Sequence, residues 1–370
     1  MNIVQIANFV TPTSGGMRTV LSELSPYYRS KGHRCVTIVP RFHEPSFSPR
    51  NAVALEIAGR SLPLSGGYRV IVERSSVVTS ILAVKPDVIE LHDKTTLSWV
   101  AGWSAARGIP CFTFSHERTA DIAEDRLPRF LPVSRLIKGW TAQVAERSSG
   151  IVCASRFAAA EFSEFGPRVH ISPFGVDTEV FTPIRHDGES GSRKVAYVGR
   201  LSPEKSPRMV IQAARLLSDR GTPISVTVVG DGPQSGELKT IAAGLDVEFV
   251  GRIDDRSLLA TVMAESAVVV APSPFETFGL SVLESLSSGT PVVVPNIGAG
   301  QELVAKGCGV VAPYSAQGFA AAIDHVLSWD RQTTRDACRQ HALNYTWERA
   351  GQQLLNLYAS AISSREVSVA

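Results

Sequence analysis

Val195-Ala-Tyr-Val-Gly199-Arg200-Leu-Ser-Pro-Glu-Lys205 is followed by Pro207–Asp219 and then by Ile224–Val229. The first segment opens as an apolar, partly β-branched run and breaks at a glycine. The second spaces its apolar residues at helical intervals, and the third is again a short apolar run. The local reading is strand, helix, strand. Strands apolar on both faces belong in a parallel sheet covered by helices above and below. Moving toward the C-terminus, the pattern predicts further strands at Val247–Val250, Val268–Ala271, Val292–Val294 and Val310–Ala312, with helices at Ser257–Glu265, Gly279–Ser287 and Phe319–Ser328. Moving toward the N-terminus, it predicts strands at Ile3–Phe9, Cys35–Val39, Val88–Leu91, Cys111–Phe114 and Ile151–Ala154. Helices are expected there at Met17–Ser30, Leu97–Arg107 and Ser155–Phe165. Two such series imply an α/β protein of two doubly wound parallel-sheet domains.

Composition is consistent with that reading. The 370 residues are 44% hydrophobic and 19% charged, enough for two separate cores. A balance of 37 Lys and Arg against 35 Asp and Glu argues against a nucleic-acid partner. Five scattered cysteines with no C-x-x-C read as reduced, buried thiols of a cytoplasmic chain. Met1–Phe9 has no basic leader and reads as a strand, not a signal peptide. The charge-free runs Ser285–Gln301 and Gly307–Ile323 fall short of the roughly 20 apolar residues a membrane span requires. Pro173, Gly175, Pro183, Gly188 and Gly191 punctuate Ser172–Ser192, and His186–Ser192 is polar. The expected domains are 1–172 and 173–345, with 346–370 as a closing helix that returns to the first.

Several loops after strands carry chemistry-bearing residues. Gly15-Gly16 lies between the first strand and its helix, where backbone N–H groups suit a phosphate, although an ordinary tight turn uses the same residues. The pattern is neither G-x-G-x-x-G nor a P-loop, which speaks against a nicotinamide-dependent oxidoreductase. His116 follows the strand Cys111–Phe114, beside Glu117 and Arg118. Residues at that position point into the crevice where parallel sheets bind ligands. Arg200 and Lys205 stand between a strand and a helix N-terminus, as a pair of cations able to clamp a diphosphate. Glu276 and Glu284 flank the helix opened by Gly279, and carboxylates there accept from vicinal hydroxyls of a sugar and a ribose. The amides of Phe278, Gly279 and Leu280 sit at that helix start.

In this order, the Gly pair, the mid-domain His, G-R-L-x-x-E-K and E-x7-E resemble the family 4 glycosyltransferases. The likeness spans nearly the whole chain, including Tyr345-Thr-Trp-Glu348 at the entry to the last helix. It implies the GT-B architecture, two Rossmann-like domains facing a cleft, and sugar transfer with retention. By the same resemblance, Arg200 and Lys205 hold the donor diphosphate, Glu276 contacts the donor sugar and Glu284 the ribose. Phe278, Gly279 and Leu280 amides line the sugar and phosphate, Gly15 and Gly16 close on the diphosphate, and His116 lies near the transferred sugar. Base contacts fall in Gly251–Asp255, through the Asp255 carboxylate or through backbone groups at Arg252 and Ile253. No D-x-D occurs, so no metal or other cofactor is expected. The leaving phosphate is then the base that deprotonates the incoming hydroxyl on the same face.

A narrower resemblance is to actinobacterial mannosyltransferases that use GDP-mannose on phosphatidylinositol mannosides or glucuronosyl diacylglycerol. It rests on Ala7-Asn8-Phe9, Ser14–Thr19, Leu64–Arg69 and Ser115–Arg118. Mannose transfer from GDP-mannose to a lipid-linked or sugar acceptor is the expectation. Alternatives are another nucleotide-sugar with a soluble acceptor, an epimerase or phosphorylase, or a binding module without catalysis. Residues 1–172 carry 20 Lys and Arg against 14 Asp and Glu. Within them, Arg126, Arg129, Arg135 and Lys138 interleave with apolar residues up to Trp140, the makings of a peripheral contact with an anionic membrane. Pro128 and Pro132 confine any helix to the part after Pro132, where Val133, Leu136, Ile137 and Trp140 fall on one face. The same spacing also suits a core helix with solvated Arg and Lys.

Overall fold

The computed structural model describes residues 1–10, 15–42, 53–62, 67–118, 133–184 and 193–369, without the side chains of 133–136 and 365–369. The stretch 126–132, with Arg126 and Arg129, all of 185–192, residues 64–66 and Thr11–Ser14 of the first loop therefore lie outside the described residues. The chain divides into two compact units, one of Met1–Phe174 with Trp347–Ala370 and one of Gly175–Thr346.

Unit 1 begins with β1 (Asn2–Ile6), α1 (Gly16–Ser30), β2 (Arg34–Pro40) and β3 (Val53–Ile57). A short hairpin, β4 (Arg60–Ser61) and β5 (Arg69–Val70), precedes α2 (Arg74–Val84) and β6 (Val88–Leu91). Then come α3 (Trp99–Ala105), β7 (Cys111–Ser115), α4 (Val133–Arg147), β8 (Gly150–Cys153), α5 (Arg156–Ala159), a 3-10 turn and β9 (Val169–Ile171). Seven strands pair in the order β3-β2-β1-β6-β7-β8-β9, all parallel. β1, β2, β6 and β7 bury nearly every residue, as two-sided strands must. β3, α2 and β9 escape the sequence reading. β3 is an edge strand with one buried residue, β9 has none, and α2 buries only Val77, Ile81 and Val84. β1 ends at Ile6, short of the expected Phe9, whose φ of +57° lies outside the extended range a strand needs.

Unit 2 holds β10 (Lys194–Val198), α6 (Arg208–Asp219), β11 (Ser225–Val229), α7 (Ser235–Ile241), β12 (Val247–Gly251), α8 (Arg256–Glu265) and β13 (Val268–Val270). It continues through α9 (Leu280–Ser287), β14 (Val292–Pro295), β15 (Gly309–Ala312), α10 (Ala316–Leu327) and α11 (Arg331–Ala342). The sheet order is β12-β11-β10-β13-β14-β15, again all parallel. α6 buries Val210, Ile211, Ala213, Ala214 and Leu217 against that sheet, the helical spacing read from the sequence. α11 was not anticipated because its exposed face is strongly polar, yet Asp330 accepts from the Thr333 N–H and caps it.

The last helix, α12 (Trp347–Val369), packs into unit 1. The Tyr27 hydroxyl bonds Gln352, and Lys31 pairs with Glu348. Among the described residues no helix is long and apolar enough to cross a membrane.

Candidate active site

In unit 2 the chain leaves β10 toward β11 and β12, then returns to place β13 on the other side of β10. Loops leaving such a pair of strands diverge and open a crevice at their carboxyl ends. The loop after β10 carries Arg200 and Lys205, and the loop after β13 carries Glu276 and Phe278–Gly279. Lys205 Nζ donates to Glu276 Oε2 at 2.7 Å. The two side chains remain 36% and 25% exposed, so the pair is open to a ligand. Backbone N–H groups of Phe278 and Gly279 also donate to this carboxylate. Burial pushes the Glu276 carboxyl up, but the Lys205 charge and these hydrogen bonds outweigh it and hold it below the ordinary value. Gly279 makes the turn with φ +99°, a backbone that side chains resist, and caps α9.

Neighbouring loops brace this pair. Ser273 Oγ donates to the Glu204 carbonyl at 2.9 Å, tying the two loops together. The buried Tyr197 hydroxyl donates to the Arg200 carbonyl at 2.8 Å. Gly230-Asp231-Gly232, readable as a plain turn, turns out to press against the Arg200 loop. A Cβ on Gly230 would lie 1.9 Å from the Gly199 carbonyl oxygen, and Leu201 N–H donates to the Asp231 carbonyl.

Leu280 opens α9 and Glu284 lies one turn further on, both half-buried. Ile253 and Asp255 stand apart from this cluster, past the edge strand β12. Asp255 caps α8, accepting from the N–H groups of Ser257 and Leu258 at 2.8 and 3.3 Å through a single oxygen. Any contact it makes with a base shares that carboxylate with the cap.

Unit 1 has the same change of direction at β1 and β6. Asn8, after β1, donates to Thr96 Oγ1 at 2.7 Å and so links the two loops. Gly15 and Gly16 stand exposed at the start of α1, and the Gly15 carbonyl accepts from Thr19 N–H. His116 comes just after β7, its ring stacked on Phe174 at 5.7 Å. Its Nε2 lies 2.8 Å from His92 Nδ1, and His92 Nε2 lies 3.1 Å from Glu90 Oε2. Burial drives His116 well below the usual histidine range, with the charges of His92 and Lys94 adding to it, so the ring is neutral. Lys94 Nζ donates to Ser115 Oγ at 3.0 Å, to the Glu117 carbonyl and to Glu161, pinning the segment that bears His116.

Sequence reasoning singled out His116 and passed over Glu90, His92 and Lys94. Their signal was Glu90-Leu-His-Asp-Lys94, a run of charge beginning inside a strand otherwise apolar.

Comparison with known proteins adds to this geometry. The family description "Glycosyltransferase Family 4" matches residues 14–180, and "Glycosyl transferases group 1" matches residues 192–328. A GDP-mannose-dependent alpha-(1-6)-phosphatidylinositol dimannoside mannosyltransferase of Mycobacterium tuberculosis is 33% identical, over 99% of this chain and 98% of the relative. A GDP-mannose-dependent alpha-mannosyltransferase of Mycolicibacterium smegmatis is 27% identical over the full length of both. Among solved structures, a sucrose-phosphate synthase from Thermosynechococcus elongatus superimposes with a TM-score of 0.79 at 19% identity. It covers 98% of this chain and 99% of that one, a likeness that speaks to the fold.

Proposed function

This chain is a glycosyltransferase of family 4, with the two parallel-sheet domains of the GT-B class, and from that premise we propose that it moves mannose from GDP-mannose to a hydroxyl of a glycolipid, with retention at the anomeric carbon. The observation that carries the reading is the Lys205–Glu276 pair at the β10–β13 switch point. Without donor, each charge neutralises the other. When a diphosphate arrives, Lys205 turns to the phosphates alongside Arg200, and Glu276 is released to accept from sugar hydroxyls. The Phe278 and Gly279 N–H groups keep that carboxylate oriented throughout. Positive charge from Lys205 and Arg200 beside the leaving diphosphate stabilises the negative charge that builds on it and lowers the barrier to breaking its bond to the sugar. The departing phosphate oxygen then takes the proton of the acceptor hydroxyl on the face it leaves. Glu284 holds the ribose, Leu280 N–H and the Gly15–Gly16 backbone contact the donor, and the turn at Ile253 and Asp255 reads the base. His116 sits at the transferred sugar. The two mannosyltransferase relatives support the sugar and the nucleotide, and the relative that acts on phosphatidylinositol dimannoside supports the lipid acceptor.

Calorimetry with GDP, GDP-mannose and the uridine and adenosine counterparts tests this. GDP-mannose is expected to bind most tightly. Lys205→Ala is expected to weaken GDP and GDP-mannose together, by about 1.5–3 kcal/mol for a lost charge-assisted contact. Glu276→Ala is expected to weaken GDP-mannose far more than GDP. Preference for another nucleotide-sugar, or equal losses in Glu276→Ala, would overturn the assignment.

A further inference from the structure

The short turn that presents Lys205 ends on a residue in an uncommon backbone state. Ser206 has φ +52° and ψ +40°, the left-handed region that disfavours any residue carrying a Cβ. Such a conformation persists where the surroundings over-determine it. Here the Ser206 N–H donates to the Pro203 carbonyl at 3.0 Å and closes the 3-10 turn Pro203–Lys205. The Ser206 carbonyl accepts from Met209 N–H at 3.1 Å, at the start of α6. Its Oγ donates to the Pro203 carbonyl at 3.3 Å and lies 2.7 Å from the hydroxyl of Tyr314. Resting on the reading that Lys205 takes the donor diphosphate, we infer that Ser206 and Tyr314 are positioning residues whose hydrogen bond holds the turn that aims Lys205 at the phosphates.

Tyr314 reaches this turn from a distance. It stands two residues past β15, at the far edge of the sheet, while the turn follows β10, three strands away. The two residues are 108 positions apart in the chain. A second tie comes from the loop after β13, where Ser273 Oγ donates to the Glu204 carbonyl at 2.9 Å. The residues on either side of Lys205 are therefore held from different strands, Glu204 from β13 and Ser206 from β15. Lys205 Nζ itself bonds Glu276 Oε2 on the same β13 loop as Ser273.

This arrangement matters for a lysine in particular. Its ammonium is a point charge on a flexible stem, and ordering that stem on an anion loses conformational entropy. A backbone already fixed on both sides of the lysine leaves less to be ordered when the ligand binds. Core packing does not require the contact. Tyr314 stays 38% exposed, so removing its hydroxyl opens no cavity inside the sheet.

The test is a double-mutant cycle on the full chain, read by calorimetry. The probe is whichever of GDP, UDP and ADP binds wild type most tightly, since all three carry the diphosphate. Tyr314→Phe is expected to weaken that nucleotide about threefold to tenfold, the usual contribution of one hydrogen bond. In a Lys205→Ala background the same change is expected to have no further effect. Ser206→Gly separates positioning from stability, because glycine enters the left-handed region freely. Its melting temperature is expected to hold or rise while nucleotide affinity falls by a similar factor. Unchanged affinity in Tyr314→Phe, or an equal loss with and without Lys205, would overturn the inference. So would a Ser206→Gly protein that keeps wild-type affinity, or that loses stability and affinity together. A different result, Lys205→Ala binding as tightly as wild type, would sink the placement of Lys205 at the diphosphate, and with it the need to position that side chain.

Discussion

A histidine that is neutral because it is buried leaves a mark on stability. The folded chain holds His116 well below the ordinary value of 6.5, through burial first and the nearby His92 and Lys94 second. The unfolded chain takes up a proton there below about pH 6.5, while the folded chain does not. Stability contributed by the neutral ring is therefore complete above that pH and declines as pH falls toward 5. His33 and His170 are shifted the same way by burial and act in the same window. The informative quantity is thus a difference in slope. Urea unfolding between pH 7.5 and 5 is expected to show a shallower decline for His116→Phe than for wild type, by up to about 1.4 kcal/mol per pH unit. Equal slopes would show that the ring takes a proton in the fold. Glu90 and Glu276 both lie below the ordinary 4.5, so their contributions are lost only at more acid pH.

Among the helices, α4 is where the expectation of a lipid-facing segment can be weighed. Its C-terminal half packs inward, with Thr141, Val144 and Ala145 buried. Ile137, Trp140, Thr141 and Val144 line a shallow pocket with Lys94 and Thr95. Trp140 nevertheless stays 45% exposed, and Lys138, two positions before it, is exposed as well. The helix is therefore a core helix whose Trp140 indole is left half-exposed at the pocket's edge, while the Lys138 ammonium projects from another side. An exposed indole, and a lysine whose long stem lets its charge reach round the helix, each suit the interface of an anionic bilayer. We propose that this part of α4, through Trp140 and Lys138, meets the membrane that carries the acceptor. Wild type is expected to co-sediment with anionic liposomes at low salt and not with neutral ones. Trp140→Ser combined with Lys138→Ser is expected to lower that binding several-fold at unchanged thermal stability. Equal sedimentation of the two proteins would remove α4 from the contact.

At the scale of the whole molecule, unit 1 is assembled from both ends of the chain. α12 brings Tyr358 beneath the sheet, where it bonds Glu90 and packs against Tyr28 and Phe112. Gly351 makes the approach to α1 possible. A Cβ there would lie 2.2 Å from Tyr27 Cδ1 and 3.0 Å from its Cγ, too near the ring's root for the side chain to swing clear. Alanine within a helix gains about 1 kcal/mol over glycine, but overpacking costs about 1–3 kcal/mol. The clash is expected to win. Gly351→Ala should lower the stability of unit 1 in denaturant unfolding and leave the donor affinity of unit 2 intact. A stabilised variant would mean that α12 shifts along α1 at no cost.

The alternation of strands and helices was written in local periodicity, because burial on one face or two imposes its spacing on neighbours in the chain. The two doubly wound parallel sheets followed from runs such as Val195–Val198 and Val292–Val294, which make sense only with helices on both sides. Loops at strand ends pointed to Lys205, Glu276 and His116 as candidates, because topology exposes that end of a parallel sheet. Which groups meet was decided elsewhere. The Lys205–Glu276 bond joins residues 71 positions apart, and the Tyr358–Glu90 bond joins residues 268 apart. Strand order and register alone place Gln5 beside both Thr37 and Glu90, and a one-residue slip in either pairing would dissolve the buried row that these three side chains form. Hydrophobic pattern specifies which face is buried, but a hydrogen bond requires a particular atom opposite another, and only the packed sheet supplies that.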